Sequence, residues 1–177
     1  MVLTASSKTP VPGQVILGLG SNRPCGRLDS IEILERAVKA LGRLLSGLRR
    51  SSLYKTAPQG VTDQPPFFNM AVSGGFQGGP KELLSKIHKI ETDFGRDRSK
   101  ESRWGQRSLD IDILLFGEET AAEPPLLELP HPRLTERRFA LEPLLEICPG
   151  AAEPGTGRLY RDICAALPDQ GVLIIFR

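Results

Sequence analysis

Apolar residues at Ile31, Leu34, Val38, Leu41 and Leu45 return every three or four positions, the spacing that lays one face of a helix on a core. Asp29 or Ser30 stands just ahead as a polar cap. The same period runs through Leu83, Ile87, Ile90 and Phe94, with Pro80 at the start and Gly95 as the stop, and predicts a second helix. Elsewhere the apolar runs are short: "QVILGLGSN", "LRRSSLYKT", "FFNMAVSGGF" and "SLDIDILLF" each predict a strand. Between the second and third lies "APQGVTDQPP", whose prolines and glycine forbid regular structure and mark a functional loop. Strand, helix, strand, strand, helix, strand is the order of an α+β, ferredoxin-like split βαβ core with a mainly antiparallel sheet. An "ELPHPRL" loop, helices at "ERRFALEPLLEI" and "LYRDICAAL", and a last run "VLIIF" follow, additions that extend the core to three αβα layers. Residues 1–13, rich in Ser, Thr and Pro, read as a flexible lead-in, and 14–177 as a single domain.

Composition narrows the chemistry. At 177 residues the chain can bury a core without staples, and a net charge of +2 is too small to argue for wholesale nucleic-acid binding. Cys25, Cys148 and Cys164 are odd in number and form no C-x-x-C pair, which excludes a disulfide framework or a cysteine zinc site and points to a reducing compartment. With no apolar stretch long enough to span a bilayer and no secretory h-region at the start, the expected location is the cytoplasm. The expected state is a monomer.

The fourth strand carries an anomaly. Alternation puts Leu109, Ile111, Ile113 and Leu115 on one face and Asp110 with Asp112 on the other, their Cα atoms ~6.6 Å apart. Two carboxylates that close repel one another, so a divalent metal or an arginine belongs between them, unless the strand is a solvent-facing edge with ordinary salt bridges. Just upstream, Arg96, Arg98, Lys100, Arg103 and Arg107 face only Asp97 and Glu101. Hard carboxylate oxygens for magnesium beside guanidinium forks suit a polyphosphate. There is no G-x-x-x-x-G-K-[ST], and "GLGSNR" lacks a third glycine, so Gly18 and Gly20 read as close backbone packing. His131, fixed between two prolines, precedes Arg133, Arg137 and Arg138 as a second phosphate contact, and Trp104 and Phe139 offer flat rings in polar contexts. Two other readings stay open on these residues: an RNA-binding module, though "FFNMAVSGGF" lacks the RNP1 alternation, and a two-metal nucleotidyl transferase.

Four ordered segments, "LGLGSN", "YKTAPQGVTDQPPFFNMAV", "IETDFGRDRSKESRWGQRSLDIDILLFG" and "LPHPRLTERRFALEPLLEI", make the chain resemble the 6-hydroxymethyl-7,8-dihydropterin pyrophosphokinase family of folate synthesis, over residues 14 to 150. The most specific part is R-W-G-x-R-[ST]-L-D-x-D-I. The resemblance implies transfer of the pyrophosphoryl group of ATP to the hydroxymethyl oxygen of a reduced pterin, leaving AMP. It implies two Mg2+ ions on Asp110 and Asp112, with Arg98 and Arg107 binding phosphate and Arg96 and Arg103 as mobile loop contacts. Glu91, Trp104, Ile113, His131 and Arg137 would help seat ATP. Thr56 and Asn69 would hydrogen-bond the pterin between Phe67 and Phe139, beside Pro58, Gln59 and Gly60. Stretches 58–66 and 96–107 would act as lids. Gln106 stands where proline is usual, and no residue stands out as a general base.

Overall fold

The first strand, β1 (Gln14–Ser21), lies at the centre of the architecture because its alternate residues serve two cores: Val15, Leu17 and Leu19 one way, Ile16 the other. The protein is described from a computed structural model over residues 13–58, 63–97 and 105–176. The predicted sites Gln59, Gly60, Arg98, Arg103 and Trp104, and almost all of the predicted lead-in, lie outside these residues.

Helix α1 (Ser30–Leu41) starts on Asp29, whose carboxylate accepts from the Ile31 and Glu32 amides while Glu32 reaches back to the Asp29 amide at 3.0 Å. This reciprocal cap satisfies orphan donors at the helix start. The predicted run "LRRSSLYKT" is two strands, β2 (Ser46–Arg50) and β3 (Leu53–Thr56). They part at Ser51 because its hydroxyl accepts from the Ala71 amide, so a side chain stands in for the ladder there. Strand β4 (Phe67–Gly75) and helix α2 (Pro80–Asp93) follow, and Gly95 takes φ +78°, the left-handed turn that ends a helix. Strand β5 (Asp110–Phe116) completes the core.

The sheet order is β5-β1-β4-β3-β8, with β2 also paired to β4, and its pairings are antiparallel. β8 is Leu173–Phe176. The first four strands thus follow the ferredoxin-like order that the element sequence predicts. One face packs on α1 and α2 through Ile33, Leu34, Leu83 and Ile87. The other packs on α3 (Arg138–Ile147) and α4 (Tyr160–Ala166) through Leu141, Leu144, Tyr160 and Ile163, which makes three layers. A small hairpin, β6 (Ala121–Glu123) with β7 (Leu127–Leu129), stands where no strand was expected.

The pairing of β1 with β5 corrects one expectation. Ile16 faces Leu115 and Leu17 faces Ile113, leaving Leu114 as an extra residue in the ladder. That bulge resets the alternation, so Leu115 joins the α3 side and Phe116 the α1 side, whereas Ile111 and Ile113 keep the predicted face. Glu146 of α3 locks helix to sheet by accepting from the Ser52 amide and hydroxyl and from the Tyr54 hydroxyl, the last two at 2.7 and 2.8 Å. Among the described residues no helix is long and apolar enough to cross a membrane.

Candidate active site

Asp110 and Asp112 project from edge strand β5 onto the α3 side of the sheet, over the backbone of β1. Their cross-strand partners are Gly20 and Gly18, so no side chain fills the trough beside them. A Cβ on Gly20 would stand 3.3 Å from Asn69 Oδ1, and one on Gly18 3.3 Å from Leu114, so a side chain at either position would press on its neighbours. One cleft runs from these carboxylates, past Arg107, His131 and Arg137, to Thr56, Phe67, Asn69 and Phe139.

The two ends of the cleft differ in character. At the apolar end Asn69 Nδ2 donates to Thr56 Oγ1 at 3.0 Å, both residues buried, so the amide is held in one orientation in the part of the cleft that Phe67 and Phe139 line. At the charged end both Asp110 oxygens are engaged: Oδ1 accepts from Arg96, and Oδ2 from Arg107 at 2.7 Å. Burial pushes this carboxyl up, but Arg107 and Arg96 together outweigh it and hold it below the usual carboxylate value. Asp112 is less well served. Among the described residues its nearest basic neighbours are His131 Nε2 at 3.6 Å and Arg137 at 3.8 Å, and burial with the Asp110 charge pushes it up to about 7.

His131 is oriented by its backbone. Its Nδ1 accepts from the Arg133 amide at 3.1 Å, which leaves the ring proton on Nε2, facing Asp112. Burial, followed by Arg137, pushes this imidazole down to about 4, so it is neutral at physiological pH. Arg137 lies with its guanidinium carbon 5.5 Å from the centre of the Phe139 ring, joining the two ends of the cleft.

A model of the 7,8-dihydro-6-hydroxymethylpterin-pyrophosphokinase (HPPK) family matches residues 16–149. The chain belongs to this family. It is 41% identical over 143 residues to a mitochondrial folate synthesis bifunctional protein of Arabidopsis thaliana, covering 81% of this chain and 25% of that protein. Over 161 residues it is 37% identical to a 2-amino-4-hydroxy-6-hydroxymethyldihydropteridine pyrophosphokinase of Pseudomonas aeruginosa, covering 90% of this chain and 94% of the relative. A crystal structure of a Plasmodium falciparum HPPK-DHPS variant with SDX-DHP has the same fold at a TM-score of 0.68 and 18% identity, covering 93% of this chain and 46% of that one. The chain therefore spans about a quarter of the plant relative's length and nearly all of the Pseudomonas one.

Within this HPPK fold the cleft gathers Thr56, Phe67, Asn69, Arg107, Asp110, Asp112, His131, Arg137 and Phe139 from the residues singled out in the sequence. Pro58 is half-buried and does not line it. The side chain of Ile113 packs in the opposite core, which leaves only its main chain to meet a ligand. Arg96 and Glu91 are buried and do not line the cleft. The arginine side chain, expected as a mobile loop contact, is only 5% exposed and bridges Glu91 and Asp110. Glu91 lies beneath β5, accepting from the Ile111 amide at 2.8 Å, because the end of α2 packs there.

Sequence reasoning missed Asn22. Its side chain accepts from the Arg107 amide at 2.8 Å and donates to Gln64 and the Pro65 carbonyl, tying two predicted lid stretches to the end of β1. The only signal for it was its place in the "LGLGSN" segment. No group of three or more His, Cys, Asp or Glu side chains is placed to hold a metal among the described residues. The donor set nevertheless fits a hard divalent cation: two carboxylates share one face, Asp112 is under-neutralised, and the glycine floor leaves room for phosphate oxygens.

Proposed function

We propose that this chain transfers the pyrophosphoryl group of ATP to the hydroxyl of 6-hydroxymethyl-7,8-dihydropterin, giving the pterin diphosphate and AMP. The observation that carries the reading is a single cleft with paired carboxylates and guanidinium groups at one end and Phe67, Phe139, Asn69 and Thr56 at the other. A flat heterocycle rich in donors and acceptors wants aromatic faces and fixed amide partners, and a triphosphate wants cations. The relatives named as pyrophosphokinases, matched over most of their length, support it.

The acceptor hydroxyl releases its proton to solvent and its oxygen forms a bond to the β-phosphorus of ATP as the bridging oxygen to the α-phosphorus departs with AMP. Asn69 and Thr56 fix the pterin edge so that the hydroxymethyl group points toward Asp110 and Asp112. Arg107 and Arg137 neutralise phosphate charge, and the neutral His131 donates from Nε2. Asp110 and Asp112 would hold two Mg2+ ions, which when bound clamp phosphate oxygens and lower the proton affinity of the acceptor hydroxyl. Residues 14–177 act as a single pyrophosphokinase domain. The free thiols of Cys25, Cys148 and Cys164 accord with work in the cytoplasm.

The test is incubation with ATP, Mg2+ and the reduced pterin, followed by separation of the nucleotides. Equal yields of AMP and pterin diphosphate are expected; ADP or free pyrophosphate as the product would refute the reading. Asp112→Ala should abolish turnover with the circular dichroism spectrum unchanged.

A further inference from the structure

Both oxygens of the Asp110 carboxylate are engaged. One accepts from Arg96 and the other from Arg107, so a cation that binds here competes with a guanidinium for the oxygen it takes. The two arginines are not equivalent in what they would lose. Arg96 contacts a second carboxylate, Glu91, and its side chain is 5% exposed against 27% for Arg107. A buried guanidinium can leave one carboxylate without being stranded only where another holds it. Glu91 itself is nearly fully buried in the last turn of α2, where a helix dipole disfavours a negative charge, so it needs a compensating cation. The Ile111 amide fixes it directly beneath the strand that carries Asp110.

Resting on the pyrophosphokinase reading, we propose that Arg96, retained by Glu91, acts as an internal stand-in cation on Asp110. Metal loading is then an exchange that turns this guanidinium away from Asp110. Charge balance supplies the coupling. Glu91 and Asp110 balance Arg96 and Arg107, so of these five groups only Asp112 adds negative charge for a divalent cation, and a surplus of positive charge remains until phosphates arrive. Metal binding to the ligand-free protein is therefore weak, and the nucleotide's phosphates complete it. Glu91 is a positioning residue: it keeps Arg96 within reach of both Asp110 and an incoming phosphate.

The test is Mn2+ binding to the nucleotide-free full chain, followed by electron paramagnetic resonance. Arg96→Met should tighten Mn2+ binding by about tenfold, because a charge-assisted hydrogen bond no longer competes. Glu91→Gln should weaken it, because Arg96 loses its ion pair with Glu91 and is held more firmly on Asp110. Through-space charge predicts those two signs as well, so the deciding protein is the double variant Glu91→Gln, Arg96→Met. Its net charge equals the parent's, it keeps an acceptor for the Ile111 amide, and it strands no buried charge, yet exchange predicts that it too binds Mn2+ about tenfold more tightly. In the parent, Mg2+ should also shift the Arg96 side-chain nitrogen resonances. A folded double variant with parental Mn2+ affinity, or Arg96 resonances unmoved at saturating Mg2+, overturns the exchange even if the parent makes AMP from ATP and the pterin. A parent that makes no AMP and binds no Mn2+ overturns both the exchange and the function it rests on.

Discussion

Asp112→Asn removes a charge that the ligand-free fold holds at a cost, so the variant should gain stability at high pH while losing turnover. Burial and the Asp110 charge raise the Asp112 carboxyl from 3.8 to about 7. Between those values the folded protein binds more protons than the unfolded chain, and stability falls as pH rises. Well below the lower value both states are protonated and the penalty is absent; above about 7 both are ionised and it is complete. Unscreened, a displacement of that size is worth about 4 kcal/mol. The side chain is 39% exposed to the cleft, and solvent screening leaves about 1–2 kcal/mol of that. Asp110, held low by Arg107 and Arg96 despite its burial, contributes the opposite slope, but in both proteins, so it largely drops out of the difference. The assay is urea unfolding by far-ultraviolet circular dichroism, with a chelator present, at pH 4 and pH 8.5. The variant should exceed the parent by about 1–2 kcal/mol at the higher pH and lose most of that advantage at the lower. A variant no more stable than the parent at pH 8.5, or equally favoured at both values, would refute the reasoning. Magnesium with a non-hydrolysable ATP analogue should stabilise the parent alone.

Two further outcomes follow from contacts away from the charges. Glu146→Ala strands the Ser52 and Tyr54 donors and should cost about 2–4 kcal/mol in urea unfolding, with Glu146→Gln costing less; a loss below about 1 kcal/mol would show that the clamp is not needed. Gly20→Ala places a Cβ 3.3 Å from Asn69 Oδ1 and 4.0 Å from the Asp110 Cβ, so the pterin KM should rise about tenfold in steady-state assays. An unchanged pterin KM would mean that the glycine floor does not set the cleft.

The helices were legible because a 3.6-residue period survives from sequence to structure: Leu34 and Leu41 of α1, and Leu83 and Ile87 of α2, are fully buried, although the buried face of α1 also takes in Ile33 and Ala37, Ile31 and Val38 are only partly buried, and Leu45 lies past the helix end. The strands were legible as runs but not as interruptions. Ser51 breaks β2 from β3 through a hydroxyl that satisfies the Ala71 amide, and a serine carries no sign of which backbone it will meet. Leu115 changed faces because a bulge depends on how β5 meets β1, a property of two strands rather than one. In the site, the Asp110 and Asp112 pair was visible from alternation and Phe139 as a flat ring in a polar context, while Thr56, Phe67 and Asn69 were visible as ligand contacts only through the family pattern. Glu91 and Arg96 were visible as residues but not as a pair. Their contact closes around a helix end beneath a strand, and no periodic signal reports such a meeting.

That buried pair also explains how an edge strand can carry two carboxylates two residues apart. On β5 the apolar residues Ile111 and Ile113 hold the strand to one core, and the opposite face is spared a second full core by Gly18 and Gly20. The fold then neutralises the two carboxylates unequally. Asp110 receives two guanidinium groups and stays ionised, whereas Asp112 receives none at hydrogen-bond distance among the described residues and is pushed up to about 7. Had both been fully paired, a cation would have to displace protein at each position; had neither been, like-charge repulsion on a partly buried face would oppose folding. The asymmetry leaves one carboxylate open to an incoming ion and the other guarded by an arginine that has somewhere else to go. The stability sacrificed at Asp112 and the affinity withheld at Asp110 are therefore two sides of one arrangement.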